Sequence, residues 1–516
     1  MAGFASSGRL STASVETCMI STMDKNTALD IRTVLRGISI FNSLDSMVTS
    51  GYIDILDQGN AISEYSFNGK EILDIKILLA KDTATGSATS ENDYNCYARR
   101  FLVYAIDSIG VAKDQMTYRI RFIDPFAMMN TDNRISWHFK QAKGEEIIGK
   151  IKTLADNGVN GIYKTAMKAQ YSQSRISSSQ EIFNFKADTS TQNQFDIYVP
   201  MMKPLELIRW IADRCVSQGN PCRWSDCLFY QTKDGTFHLN SFINMFNSSP
   251  LVFTQQIAES MVEEKHHLIE SYTFNKIYNT QIDKLNGIYG LQFAIADFKP
   301  STKTVTQSTV LGTTIASSDT LPGSKGGGNK VALHDSIKQY FRNFHNSGVK
   351  GSVSINSDGS NGFIKPFQCS SQTVQSTQTA GPNGQAIPSS YDTSTGSLIF
   401  MDTCGIIHED DKTYNEYERV TFPYVTGCIM KKVLSTYVIN ITMNGAFDVD
   451  VGRSFTVKLD ETNKESVTRQ MMCFINGVVW LVSDVKHEWR SDTDQVKTYV
   501  TGFTPFIKQG ERCALK

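Results

Sequence analysis

Apolar and polar residues alternate one by one in short runs toward both ends of this chain. A period of two commits those segments to strands with one buried face. Tyr118, Ile120 and Phe122 alternate with Arg119 and Arg121. Tyr437, Ile439, Ile441 and Met443 alternate with Asn440 and Thr442, and Phe455, Val457 and Leu459 alternate with Ser454, Thr456 and Lys458. Other runs extend the pattern: Ile31 to Leu44 and Tyr52 to Leu56, punctuated by Gly37, Gly51 and Gly59, then Ile72, Ile75, Ile77 and Leu79. Phe101 to Ile109 and Met116 to Ile123 read as a hairpin ended by Asp124-Pro125, after a polar loop at Lys81 to Asp93. Residues 15 to 130 therefore read as one β-rich domain. Val478 to Val482 and Gln495 to Thr501 add two strands near the end, and Asn444-Gly445 and Val451-Gly452 supply turns, so the C-terminal part reads as a small barrel or sandwich.

The stretch between changes period. Ile147, Ile148, Ile151 and Leu154 predict a helix from Gly144 to about Leu154. A second helix is predicted from Lys203 to Cys215, with Pro204 in its first turn and Leu205, Ile208, Ile211, Ala212 and Cys215 as its buried stripe. Leu228-Phe229-Tyr230, a turn at Lys233-Asp234-Gly235, and Phe237 to Phe242 form a hairpin pattern. Residues 140 to 245 are thus α+β. Farther on, 17 of the 30 residues from Ser301 to Lys330 and 22 of the 48 from Gly351 to Leu398 are Ser, Thr or Gly, a bias that favours flexible arms over packed elements. Leu333, Ile337, Tyr340, Phe341 and Phe344 between the arms have the spacing of a docking helix.

Charge narrows the function classes. Lys and Arg number 51 against 52 Asp and Glu, a net charge of −1, which argues against nucleic-acid binding by bulk basic charge and against a polybasic membrane binder. The longest strongly apolar stretch near the C-terminus, Val478 to Val482, is far too short to cross a bilayer. Met1 to Lys25 lacks the apolar core of a signal peptide, and ten scattered cysteines do not form a disulfide framework, so synthesis in a reducing cytosol is expected.

Candidate chemistry is sparse. Cys215, Cys222 and Cys227 are the only clustered thiols, but zinc sites carry closer pairs and a second pair, so one buried helix thiol and two loop thiols is the simpler reading. His266-His267 after Glu263-Glu264 lack a further ligand at helical spacing and read as a solvated face. His408, Glu409, Asp410 and Asp411 read as a plain loop rather than a cation site. Asp448 and Asp450 are expected on one side of an extended strand, without the glycine and distal glutamate of a calcium loop. Gly323 to Lys330 lacks the Gly-Lys-Ser/Thr ending of a phosphate cradle, and no Gly-x-Ser-x-Gly elbow is present. No catalytic residue, metal ligand or cofactor site is assigned, and a non-enzymatic role is expected.

Four local patterns, in order, carry a resemblance. They are Thr117 to Pro125 followed by Asn130 to Trp137 and the helix with Glu146-Ile147-Ile148; Lys203-Pro204-Leu205 followed by Leu228-Phe229-Tyr230-Gln231-Thr232-Lys233-Asp234-Gly235-Thr236-Phe237-His238; Ile269 to Phe274 followed by Leu285 to Gly290; and Asn444-Gly445 through Val451-Gly452, then Ile475 to Val482 and Val485-Lys486-His487. Together they are similar to the central baseplate hub proteins of contractile-tailed bacteriophages, relatives of the hubs of other contractile injection systems. The aromatic hairpin with its Lys233-Asp234-Gly235 turn is the most specific of the four.

The resemblance implies an α+β, mainly β chain with two tail-tube-like β-barrel or sandwich domains, an α+β middle part and inserted flexible arms. On that reading residues 1–135 form the first tube-like domain, 136–265 the middle domain and 266–300 the start of the second tube-like domain. Residues 301–430 are then the Ser/Thr/Gly-rich insertion and 431–516 the remainder of the second domain. A homotrimer would present six similar β domains and so join a sixfold tail tube to a threefold spike, since a trimer matches six positions only if each chain supplies two. Expected partners are the central spike protein, tube or tube-initiator proteins and baseplate wedge proteins, in the tail of a virion assembled from a host-made chain. DNA would pass through the lumen without specific binding, and no membrane insertion is implied. The long arms and ten cysteines depart from the family pattern. No spike-like segment follows Phe503, so the spike is expected as a separate chain. A tail-associated cell-wall hydrolase and a receptor-binding tail module are the competing readings.

Overall fold

The computed structural model describes residues 13–22, 25–57, 65, 67, 71–79, 96–112, 115–157, 183–218, 220, 224–255, 267–276, 290–296, 305–310, 397–403, 423, 424, 427, 428, 431, 434, 435, 437–459 and 475–505. The fold is mainly β, and its strands come largely from two groups. The first group is β1 (Ala13–Thr22), β2 (Lys25–Asp30), β3 (Leu35–Ser43), β4 (Ser50–Asp57), β5 (Glu71–Leu79), β6 (Cys96–Ala112) and β7 (Gln115–Ile123), in the order β3-β4-β7-β6-β5-β1-β2. In β4 every second residue is buried, as alternation requires. Strand β6 pairs with β5 from Cys96 to Leu102 and with β7 from Leu102 to Ala112, with register shifts at Val103/Ala105 and Ser108/Gly110. Bulges bend strands, and these let β6 carry the sheet around a core of Ile38, Ile40, Ile53, Ile75, Phe101 and Phe122.

The middle part holds α1 (Pro125–Asp132), β8 (His138–Lys143), α2 (Gly144–Asn157), β9 (Asn184–Ala187), β10 (Gln194–Tyr198), α3 (Pro204–Ala212), β11 (Cys227–Gln231), β12 (Thr236–Ser241) and α4 (Phe242–Asn247). Asp124 caps α1 by accepting from the Phe126 amide at 2.8 Å, with Pro125 in the first turn where its missing N–H costs nothing. Phe183, Phe195, Phe229 and Phe237 pack with the apolar face of α3 into the core of this part.

The second β group begins with β13 (Leu251–Gln255) and β14 (Leu268–Lys276). Next come β15 (Gly290–Ala296), β16 (Val305–Val310) and β17 (Ser397–Thr403), a separate sheet in the order β16-β15-β17. The group resumes with β18 (Tyr437–Asn444), β19 (Ser454–Lys458), β20 (Val479–Arg490) and β21 (Gln495–Thr504). The order β19-β13-β14-β18-β21-β20, with an additional β19–β20 pairing, closes a barrel around Phe253, Ile439, Ile441, Phe455 and Trp480. Strand β20 also pairs antiparallel with β3, from Asp484 opposite Ser43 to Arg490 opposite Gly37. The two β groups are therefore one 13-stranded sheet.

Several sequence expectations change in extent. Val478 to Val482 covers only the start of β20. The polar pair Ser483-Asp484 interrupts its apolar run, and a register shift lies there, between Val482 and Asp484. Helix α3 stops at Ala212, so Cys215 lies beyond it, while α2 runs on to Asn157. The docking helix at Leu333 to Phe344, the loop at Lys81 to Asp93 and most of both arms fall outside the described residues.

Candidate functional site

Eight strands in the order β14-β18-β21-β20-β3-β4-β7-β6 span both β domains and present one face away from the two cores. Directly opposed residues in a ladder share a face, so the register maps that face. Lys486 stands opposite Tyr499 and Phe41, and Glu488 opposite Lys497 and Ser39. Tyr52 is opposite Ser39 and Arg121, while Asp54 is opposite Gly37 and Arg119. Asn440 and Thr442 continue the face past Thr501 and Tyr499. The alternate residues, among them Ile38, Ile40, Ile53, Val485, Trp489 and Val500, are buried.

Charge on this face is matched cation by cation. Arg119 Nε lies 2.7 Å from Asp54 Oδ1, Arg121 Nε 2.7 Å from Asp107 Oδ2 and Lys497 Nζ 3.0 Å from Glu270 Oε2. Lys486 Nζ and Arg490 Nε converge on the two oxygens of Glu488, at 2.7 and 2.8 Å. Burial alone would raise Glu488, but its two cations more than offset this and hold the carboxyl below its usual range. The Arg119 guanidinium also sits 3.9 Å over the Tyr52 ring, and Lys486 5.1 Å from the Tyr499 ring centroid. Among these side chains, the cations Arg119, Arg121, Lys486, Arg490 and Lys497 face the carboxylates Asp54, Asp107, Glu270, Asp484 and Glu488, so these ten charges cancel. Exposed pairs of this kind contribute little stability. Their effect is to compensate each of these five cations, which weakens its pull on a phosphate.

Behind the face, the β11–β12 hairpin reaches into the place where all three parts meet. Gln231 Oε1 accepts from Thr49 N at 2.8 Å and from Thr49 Oγ1 at 3.0 Å, and Gln231 Nε2 donates to Asp124 Oδ2 at 2.9 Å. Arg99 completes that cluster by donating to Thr49 Oγ1 and Asp124 Oδ2, each at 2.5 Å. On the other side of the turn, Lys233 N donates to Asp450 Oδ2 at 2.6 Å, while Asp450 Oδ1 accepts from Val451 N at 2.9 Å and from Asn42 Nδ2 at 3.4 Å. Burial pushes the Asp450 carboxyl up to about 6 against these hydrogen bonds. Gly452, at φ +76, lies against Tyr230, and a Cβ there would stand 2.5 Å from the Tyr230 hydroxyl oxygen, so only glycine fits.

Two expectations about single residues are corrected. Asp448 and Asp450 do not project from an extended strand; both are buried in the turn-rich segment between β18 and β19. His267 is not on a solvated face. It is half-buried, with Nε2 2.8 Å from Asp448 Oδ2, and this imidazole more than offsets burial to hold Asp448 below its usual range. Periodicity missed both because it reads strands and helices, whereas these residues sit in connections.

Cys215 and Cys227 are buried free thiols that burial raises well above the usual thiol value. Cys222, Glu263, Glu264, His266, Gly323 to Lys330, and His408 to Asp411 lie outside the described residues. Among the described residues no three His, Cys, Asp or Glu side chains are grouped to hold a metal, and no helix is long and apolar enough to cross a membrane.

No protein-family model matches the chain, and no curated protein does. Solved structures do. The 43 kDa tail protein of prophage MuSo2 from Shewanella oneidensis is 9% identical, with 95% of this chain and 98% of that chain covered at a TM-score of 0.43. The tail protein from Neisseria meningitidis MC58 is 10% identical, with 95% and 96% covered at a TM-score of 0.44. An E. coli component of the type VI secretion system that exhibits structural similarity to T4 bacteriophage tail proteins gp27 and gp5 is 6% identical, with 91% and 73% covered at a TM-score of 0.35.

Proposed function

We propose that this chain is a non-enzymatic structural protein of a phage tail baseplate, a trimeric central hub that adapts a sixfold tail tube to a threefold spike and lines part of the DNA conduit. The observation that carries the reading is the charge-matched eight-stranded face shared by two β domains. A passage for DNA must not hold phosphate, and counterion release gives any excess of unpaired cations a strong affinity for the backbone. A face whose cations are compensated by carboxylates has less of that affinity.

The ends of the same sheet fit closure by further copies. Among the described residues, β14 beyond Ile269 pairs only with β18, and β6 beyond Leu102 pairs only with β7. All seven steps from β14 to β6 are antiparallel, so the two edge strands run in opposite directions. A rotation about an axis along the strands would set β6 of one copy antiparallel beside β14 of the next, a heterologous contact that closes into a ring. Tyr104, 47% exposed on the free part of β6, is the large apolar residue offered at that edge. The hub would then meet the spike on one side of the ring and tube or wedge proteins on the other, as a component of the virion.

The test is the mass of the full chain in solution, alone and with the spike protein of the same particle. A trimer in at least one condition is expected. A monomer in both would sink the proposal.

A further inference from the structure

The seam between the two β domains is a ladder of backbone hydrogen bonds from Gly37 to Ser43 on β3 and from Asp484 to Arg490 on β20, beside which Phe447, Trp489 and Val496 of the second domain pack into the core of the first. Such a ladder fixes the spacing of two strands but leaves their angle soft, since neighbouring strands rotate by anything from roughly −10 to −35°. Some 25° of freedom at each seam is incompatible with one ring geometry, because the error repeats at every seam. Something beyond the ladder has to choose the angle.

We infer that the Thr232–Gly235 turn of the β11–β12 hairpin is a wedge that sets the angle between the two β domains, with Gln231 and Asp450 as its positioning residues. This deepens the hub reading and rests on it for its purpose, though not for its measurement. The turn is the place where the middle part grips both β domains at once. Gln231 holds it to Thr49 and Asp124 of the first domain, and the Lys233 amide holds it to Asp450 of the second. Asp450 also reaches across the seam to Asn42, whose register partner is Val485 of β20.

The turn is stiff in itself. Gly235 N donates to Thr232 O and Thr232 N to Thr236 O, both at 2.9 Å, and the Asp234 carboxylate accepts from Thr232 Oγ1, Thr236 N and Thr236 Oγ1. This rigid turn is held by buried hydrogen bonds at Gln231 and by the part-buried Lys233–Asp450 bond. It cannot follow a rotation of one domain without leaving a buried polar group, the Gln231 amide or the Asp450 carboxyl, short of a partner, which is what makes the angle single-valued. The tight fit of Tyr230 on Gly452 adds a steric stop on the same side.

The test reads the spread of that angle through a distance between the two domains. Bio-orthogonal spin labels at Gln115 and Ser271, exposed positions on the first and second β domains, report the interdomain distance in spin-diluted full-length protein. The unaltered protein is expected to give one narrow distribution. Asp450→Ala, which frees the Lys233 amide, is expected to widen it at least twofold while the far-ultraviolet dichroism stays the same, and Asp450→Asn, which keeps an acceptor there, is expected to retain the narrow width. Gln231→Leu, cutting the turn from the other domain, is the second variant and carries the same expectation should Asp450→Ala not fold. Widths unchanged in both Asp450→Ala and Gln231→Leu would overturn the wedge. Trimer mass is read in parallel: an unaltered chain that stays monomeric refutes the hub reading and leaves the distance measurement valid.

Discussion

The two β domains share one sheet but solve the problem of a small barrel differently. The second closes on itself through the β19–β20 pairing and fills its interior with Phe253, Phe455, Trp480 and aliphatic residues. The first stays open in the described residues and buries charge: Arg100 against Asp74 at 2.6 Å, Lys76 against Glu16 at 3.2 Å, and Arg99 against Asp124. An apolar interior tolerates truncation in proportion to volume, whereas a buried ion pair is costly to break because the survivor keeps its charge without a partner. The difference therefore concerns how each domain fails rather than how stable each is.

Four variants break or sharpen that contrast. Asp74→Ala in the first domain is expected to cost the most, about 3–5 kcal/mol by denaturant unfolding, because the Arg100 guanidinium stays buried without its carboxylate. Ile441→Ala in the barrel should cost about 2–4 kcal/mol, a cavity effect alone. A larger loss for Ile441→Ala than for Asp74→Ala would erase the contrast.

The third variant lies where the domains touch. Burial first, then the Lys233 charge, lowers His487 to about 3. Its rings of contact are Tyr97 from the first domain and Phe447 from the second. An imidazole that is neutral when folded and titrates near 6.5 when unfolded withdraws stability as pH falls from 6.5 toward 3, at ~1.4 kcal/mol per unit. Asp226 and Asp450, raised by burial to about 6, act with the opposite sign, adding stability as pH falls from 6 toward the ordinary carboxylate range. With two carboxylates opposing one imidazole, these groups should leave the unaltered chain gaining about 1 kcal/mol as pH falls from 7 to 5, while His487→Gln should gain about 2 kcal/mol more than the parent over the same range, read from melts across pH. A His487→Gln profile parallel to the parent's would show that His487 is not the buried neutral group. The smallest effect belongs to the outer face: Lys497→Gln, whose side chain is 44% exposed, should change stability by less than about 0.5 kcal/mol yet raise retention on an anion exchanger.

Much of the sheet was legible because alternation is local. The runs at Tyr118–Phe122 and Tyr437–Met443 are strands, with Ile120, Phe122 and the whole Tyr437–Met443 face buried and Tyr118 half-buried. Strand β13 was harder: it has five residues with one buried, it meets nearby β14 over only two of them, and its longer pairing is with β19, some two hundred residues later. The junction was half legible. The hairpin around Lys233-Asp234-Gly235 stood out as a pattern, but its partners Thr49, Asp124 and Asp450 are joined only through the fold, and a carboxylate in a connection carries no periodic signal.

The seam also dictates a sequence of events during synthesis. Ser43 of β3 and Asp484 of β20 are paired neighbours separated by about 440 residues of chain. At a synthesis rate of ~5–20 residues per second, the β3 edge emerges roughly 20–90 s before the strand that covers it exists. For that interval the nascent chain offers an unpaired strand edge to whatever is near, including other nascent copies on the same message. Restraint of that edge by ribosome-associated factors, and crowding on the message, should therefore govern the yield of this protein more than its final stability does.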